Sequence, residues 1–370
     1  MADLTQGRIE TTAPTEKPPA STLGVIGWLR ANLFNSVFNT IITLLALFAI
    51  VRLVPPLFSW AVLNADVSAT SGQECRAASG ACWAFIREKA RFIIFGRFPY
   101  AEQWRPLIVV LIFVALLLGS CDRRFWNRWL AVAWAAGIAL VFLLMFGGFF
   151  GMTYVDTSLW NGLPLTLILA VFGMAFGFPL AILLALGRRS DMPAIRSLCV
   201  GYIELIRGVP LITVLFMASV MLPLFFPGGV NFDKLLRAQI AFILFAAAYL
   251  AEVIRGGLQA VPKGQYEAAD AIGLSYAQKM RGIILPQALS MVIPPLANTF
   301  IGFFKDTSLV VIIGLFDVLN TANAALTDPN WRGFAIETYI FAALVYFTFC
   351  FFMSKYSQYL ERELNKSRRR

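Results

Sequence analysis

Lys305-Asp306-Thr307-Ser308 sets one cation, one anion and two hydroxyls in the middle of a long apolar stretch. Charge in such a setting is costly, and it generally faces a polar cavity or an opposite charge. Either the pair compensates itself and pins a helix break, or it faces a path for a ligand that carries both signs. Two Glu-x-x-Arg-Gly clusters, Glu204/Arg207/Gly208 and Glu252/Arg255/Gly256, put opposite charges three residues apart on one helix face. They read as ion pairs holding a helix end at a membrane boundary, or as a hinge network. No nucleophile or base accompanies any of these groups, so bond-making chemistry is not indicated. The chain has no histidine, which removes imidazole bases, ligands and pH switches. Of five cysteines only Cys75 and Cys82 lie near each other. Two thiols are too few for a metal site, and none is expected; they can form a disulfide if their segment is extracytoplasmic. No Gly-x-x-x-x-Gly-Lys-Ser/Thr loop is present to cradle a nucleotide.

The elements that carry these residues are membrane helices. Of 370 residues 59% are apolar and 14% charged, against roughly a quarter charged in soluble domains. Apolar runs long enough to span a bilayer, or nearly so, lie at 37–60, 107–120, 129–150, 163–186, 210–226, 236–254, 287–304 and 334–353. A short run at 309–319 completes a broken helix, and Pro294-Pro295 should kink or open the run that contains them. The expected fold is an all-α integral membrane protein of about eight spans.

The net charge of +10 sits in short loops and at the C-terminus: Arg123, Arg124 and Arg128, then Arg188, Arg189 and Arg196, then Arg368–Arg370. That distribution is the positive-inside signature, not a nucleic-acid face. It puts the loops at 121–128, 187–209 and 255–285 in the cytoplasm with both termini. The 64–105 segment then falls outside, with its six Lys and Arg against the rule. An amphipathic helix lying on the outer surface would let those residues meet headgroups. Residues 1 to about 30 lack a signal-peptide pattern and read as disordered.

A polar island at 262–286, PKGQYEAADAIGLSYAQKMRGIILP, separates two apolar runs. Local rules predict a bent helix pair. Glu267 falls near the first helix's start, where the macrodipole favours an anion. Ala268, Ala269 and Ala271 make a shallow surface. Gly273 supplies a left-handed C-cap, Ser275 with Gln278 a capping box, and Pro286 the turn into the membrane.

The order Glu267-Ala268-Ala269, then Gly273, then Ile283 and Leu285-Pro286 resembles the cytoplasmic loop by which permeases of ATP-binding-cassette importers grip their ATPase. YIELIRGVPLI (202–212), the stretch 247–278 and FKDTSLV (304–310) are similar to permeases of polar amino-acid importers, the histidine and glutamine type. The resemblance implies a translocation subunit that is no enzyme and carries no cofactor of its own, ATP and Mg acting on the partner. It implies an ATPase subunit dimer, a second permease and a periplasmic amino-acid-binding protein as partners, an amino acid as substrate, and the bacterial inner membrane as location. The extra N-terminal spans look most like the long subunits of general L-amino-acid importers, which pair with a similar, shorter permease.

The expected organisation is therefore a disordered cytoplasmic head over 1–33 and an extension of about three spans over 34–150, with 64–105 periplasmic. A five-span core over 151–358 follows, with its coupling loop at 255–286, then a basic cytoplasmic tail over 359–370. Lys305 to Ser308 become candidates for the pathway of a zwitterion, or remain a structural pin. The Cys75–Cys82 pair reads as a local staple or as a docking feature for the binding protein. An ion-gradient transporter is the alternative; it would show an inverted repeat, and none is evident.

Overall fold

A computed structural model describes residues 24–225 and 232–368. Among them there are helices and no strands. Among the described residues seven helices are long and apolar enough to cross a membrane, and eight spans result if one bent pair counts as a span. By internal contacts the chain divides into two units.

The first unit comprises the chain to Asp66 with Ala77–Ala81. In it, α1 (Gly24–Asn32) occupies the end of the segment expected to be disordered, where Val25, Ile26 and Trp28 form an apolar helical surface. The rest of that head, 1–23, lies outside the described residues. The span α2 (Val37–Phe58) starts at Ser36, whose side chain accepts from the Asn39 N–H. It carries Pro55 and Pro56 internally and ends in a wide turn, Ser59–Leu63.

The second unit holds everything else. After α3 (Gly72–Ala77), α4 (Trp83–Phe95) fills the segment expected to lie on the membrane surface. Its apolar side is instead spent on the protein. Phe85 is fully buried, its ring centroid 6.0 Å from Trp331 and 5.7 Å from Phe334. Lys89 pairs with Asp328 at 2.7 Å, and that contact holds the Asp328 carboxyl below its ordinary range. The spans α5 (Trp104–Cys121) and α6 (Arg128–Phe146) form an antiparallel hairpin. Its anchor is Arg105, fully buried, which donates to the carbonyl oxygens of Leu144, Met145 and Thr153 at 2.6, 3.4 and 2.9 Å. A helix leaves its last carbonyls without intrahelical partners, and Arg105 supplies them for α6.

The centre of the unit is the pairing of α7 (Gly162–Arg188) with α10 (Lys234–Ala260). Lipid tails are as apolar as leucine, so spans associate by close packing, which favours small residues. Here a methyl group on Gly177 would sit 3.0 Å from the Ala246 Cβ, and Ala246, Ala247, Ala248 and Ala251 are all buried. Between these spans the chain forms α8 (Pro193–Gly208) and α9 (Leu211–Val220), bent by 102°. The 187–209 segment expected as a loop is thus largely helix. The 210–226 run expected as a span breaks after ten residues, and residue 226 lies outside the described ones.

Beyond α10 come α11 (Lys263–Ala271), α12 (Tyr276–Lys279), a wide turn over Met280–Ile284 and α13 (Leu285–Met291). The chain breaks at Val292, and α14 (Ile293–Asp306) then starts with the proline pair in its first turn. Proline lacks the N–H that a first turn leaves unpaired, so the break falls just before the pair and not within a continuous helix. A tight turn carries α14 on to Ile313. After α15 (Val318–Ala325), α16 (Ala335–Arg368) includes most of the expected basic tail; residues 369–370 lie outside the described ones.

Candidate functional site

The 262–286 island folds as a compact helical loop. Ser275 and Gln278 form both bonds of a capping box, and Gly273 has φ +76°, a value that disfavours any residue with a Cβ. Around that glycine the Leu274 N–H reaches the Ala269 carbonyl at 3.2 Å and the Gly273 N–H reaches Asp270 at 3.0 Å. These are the two bonds of a Schellman close. Lys279 then pairs with Asp270 at 2.5 Å, tying α12 back to α11.

Two details differ from expectation. Glu267 is the fifth residue of α11, because the helix starts at Lys263, and no acidic residue lies in its first turn. Its charge therefore gains little from the helix dipole. The alanine surface is also split: Ala268 is exposed, whereas Ala269 is buried against the protein's own body. Glu267, Ala268, Gly273 and Pro286 are exposed, with Ile272 and Tyr276 beside them, while Ile283 and Leu285 are half-buried. The loop presents a mixed apolar and charged surface, with Lys263 and Arg281 exposed as well as Glu267, held by a rigid close.

The two Glu-x-x-Arg clusters meet in one network. Arg255 and Glu252 pair within α10 at 2.5 Å, as the spacing predicts. Glu204 and Arg207 do not pair with each other. Arg188, the last residue of α7, lies 2.8 Å from Glu204 and 3.2 Å from Glu252, and Arg207 lies 3.6 Å from Glu252. Three helices are thereby joined through one carboxylate. The spacing pointed to the four residues; Arg188 was visible only as a loop charge.

Residues 305–308 do not share one environment: Thr307 lies inside the bundle, whereas the residues beside it are open to varying degrees. Lys305 is exposed and Asp306 half-buried, and no ion pair forms between them among the described residues. Adjacent residues on a helix do not face each other. The hydroxyls are committed locally: Thr307, fully buried, donates to the Phe304 carbonyl and Ser308 to that of Lys305, both at 2.9 Å.

Below this turn is a group that the sequence reading missed. Asp317, fully buried, accepts from the Asn320 backbone N–H at 3.0 Å, from the Asn320 amide at 2.7 Å and from the Tyr346 hydroxyl. The Asn320 amide also donates to the Ser308 carbonyl at 2.7 Å. The turn after Lys305 is thus fastened to α15 and α16. The signal was present, since Asp317 and Asn320 have N-cap spacing before a helix.

Cys75 and Cys82 form a disulfide with Cα atoms 5.6 Å apart. The Cys82 N–H donates to Glu337 at the start of α16, at 3.0 Å. Among the described residues no group of three or more His, Cys, Asp or Glu could hold a metal.

Residues 177–366 match the family described as binding-protein-dependent transport system inner membrane component. The chain is 51% identical to the inner membrane amino-acid ABC transporter permease protein YhdY of Escherichia coli (strain K12), over 92% of this chain and 93% of that one. It is 41% identical to the glutamate/glutamine/aspartate/asparagine transport system permease protein BztC of Rhodobacter capsulatus, over the full length of both. A crystal structure of an amino acid ABC transporter with histidines matches 55% of this chain and 92% of that one, at 34% identity and a TM-score of 0.49.

Proposed function

The chain belongs to the binding-protein-dependent transport system inner membrane components and is the permease subunit of an amino-acid ABC importer, and from that premise we propose how its parts divide the work. The loop from α11 to α13 is the surface that engages the ATPase. The observation that carries this reading is a short helix displayed with Glu267, Ala268 and Ile272 exposed and closed by a glycine at φ +76°. Such a helix moves as one piece when pushed. ATP and Mg bind on the partner, whose closure displaces α11, and the spans rock between inward-facing and outward-facing states.

The working assembly is this chain with a second, shorter permease, an ATPase dimer and a periplasmic amino-acid-binding protein. Its cargo is polar L-amino acids, the class that the name of the Rhodobacter relative describes. Both termini and the 255–286 loop are cytoplasmic, the 64–105 segment is periplasmic, and the five-span core runs from 151 to 358. Lys305 is exposed on this subunit while lying in an apolar span, which suits a pathway between the two permeases, with Lys305 and Asp306 meeting the zwitterion. The Cys75–Cys82 bond is a staple at the outer end.

The test is capture of the ATPase by the tagged permease. Gly273→Asp should leave the protein in the membrane and abolish capture, because a Cβ is disfavoured at that backbone angle. Glu267→Lys should weaken capture. Normal capture and uptake in both variants would remove the loop from the mechanism.

A further inference from the structure

Two adjacent arginines close α7, Arg188 as its last residue and Arg189 as its cap, and they serve different partners. Arg188 enters the ion network with Glu204 and Glu252. Arg189 donates from Nη1 to the Leu258 carbonyl at 2.8 Å and to the Tyr266 hydroxyl at 3.0 Å, with its guanidinium 5.5 Å from the Tyr266 ring centroid. The Tyr266 hydroxyl in turn donates to the same Leu258 oxygen at 2.9 Å. Leu258 is two residues from the end of α10, where carbonyls have no intrahelical partner. Three helices, α7, α10 and α11, therefore converge on one oxygen.

The position of Tyr266 gives this junction meaning. It directly precedes Glu267-Ala268-Ala269, and residues three apart share a helix face, so Tyr266 and Ala269 form the inward side of α11. Tyr266 is half-buried and Ala269 is 1% exposed. Glu267 and Ala268 are on the exposed side. The covalent link from α10 to α11 is Val261-Pro262, with Val261 extended and Pro262 at φ −56° and ψ 140°. Pro262 fixes its own φ and restricts Val261, so the rotation left between α11 and α10 is chiefly about the ψ bond of Pro262. Gln265 to Gln287 at 3.1 Å and Asp270 to Lys279 at 2.5 Å hold α11 to the later part of the loop. The Arg189–Tyr266 contact is what ties it to the end of α7.

We propose that Arg189 and Tyr266 form a strut that passes displacement of α11 to the neighbouring ends of α7 and α10. They are positioning residues and touch neither the ATPase nor the cargo. The strut rests on the reading that α11 faces the ATPase. Its effect is to make a push on the outer face of α11 a push on the pair of spans at the centre of the bundle. Without it, part of that push is lost in rotation about the ψ bond of Pro262.

The experiment uses the full importer, with Tyr266→Phe, Arg189→Ala and the double variant in the tagged permease. Two quantities are read: ATPase captured per folded permease, and uptake of a mixture of radiolabelled protein-forming L-amino acids per captured ATPase. Capture should be unchanged in Tyr266→Phe. Uptake per captured ATPase should fall by about two- to thirtyfold, the range over which single residues modulate coupling between sites. The double variant should be no worse than the worse single, since both remove one contact. Unchanged uptake per captured ATPase in both single variants would overturn the strut, even with less complex assembled, because a merely structural role predicts that pattern. Additive losses would overturn it as well. If Arg189→Ala does not accumulate, Tyr266→Phe alone decides, since it keeps the ring and the packing. Normal capture by Gly273→Asp would overturn the coupling loop and the strut with it, whereas lost capture there with full uptake in Tyr266→Phe would overturn the strut alone.

Discussion

Two charged regions of this molecule behave in opposite ways. At the loop end of the bundle, Arg188, Glu204, Arg207, Glu252 and Arg255 close their charges on one another across α7, α8 and α10. At the end of α14, Lys305 and Asp306 are adjacent in sequence and leave their charges open. Both pairs of signs looked self-compensating as text. The difference is geometric: residues three apart, or on neighbouring helices, can meet, whereas consecutive helical residues diverge. A charge with cross-helix partners is accounted for by structure. A charge kept in an apolar span without an ion-pair partner among the described residues is not accounted for in that way, and intramembrane charges usually face a polar cavity or an opposite charge.

The sharpest way to break this contrast is to remove the shared carboxylate. Glu252→Ala leaves three arginines beside one exposed glutamate, and should cost about 3 kcal/mol, the low end for a broken, partly buried pair. Thermal challenge in detergent, read by fluorescence on size-exclusion, should show less folded protein at every temperature. A wild-type melting profile would mean that the network contributes nothing to the bundle.

Next in size is the open pair. Asp306→Asn should lower amino-acid uptake per folded complex about tenfold, the worth of one charge-assisted contact, without reducing the amount of folded protein. The double change Lys305→Met/Asp306→Asn should not restore it. Recovery of uptake in the double variant would assign the 305–308 segment to structure and erase the contrast.

The smallest effect is expected at Glu204. Its side chain is 54% exposed, and an exposed ion pair contributes less than about 1 kcal/mol. Glu204→Ala should shift the melting profile only slightly, and well below the shift of Glu252→Ala. Equal shifts would show that the network has no centre at Glu252.

Much of the candidate site was legible because it depends on local rules. Gly273, Ser275 and Gln278 act within a few residues of themselves, so spacing alone predicted the caps. The proline break before α14 was readable for the same reason. What could not be read were choices between equally good partners. Glu204 had Arg207 at helical spacing and took Arg188 instead, and Tyr266, to which spacing assigned nothing, found its partners only when the ends of α7 and α10 came beside it. The 83–95 helix shows the same limit: its amphipathic pattern fits a headgroup layer or a protein surface equally well, and Trp331 and Phe334 decided for the protein.

The sequence by itself determined that this chain is built of membrane spans, that it has no histidine and no nucleotide-cradling Gly-Lys loop, and that it carries a motif resembling the ATPase-facing loop of importer permeases. Hydropathy over about 20 residues, missing chemical groups and a spaced motif are one-dimensional properties. Tertiary structure alone decided which spans form the centre and which charges are spent. Span α6 is more apolar than α10, with mean hydropathy 2.4 against 1.7, yet the most apolar window of α10 is 56% buried and that of α6 only 22%. Transfer into lipid responds to how apolar a helix is, whereas packing responds to the shape of its faces. Shape is settled only when a second helix, such as α7 with its glycines, lies against it.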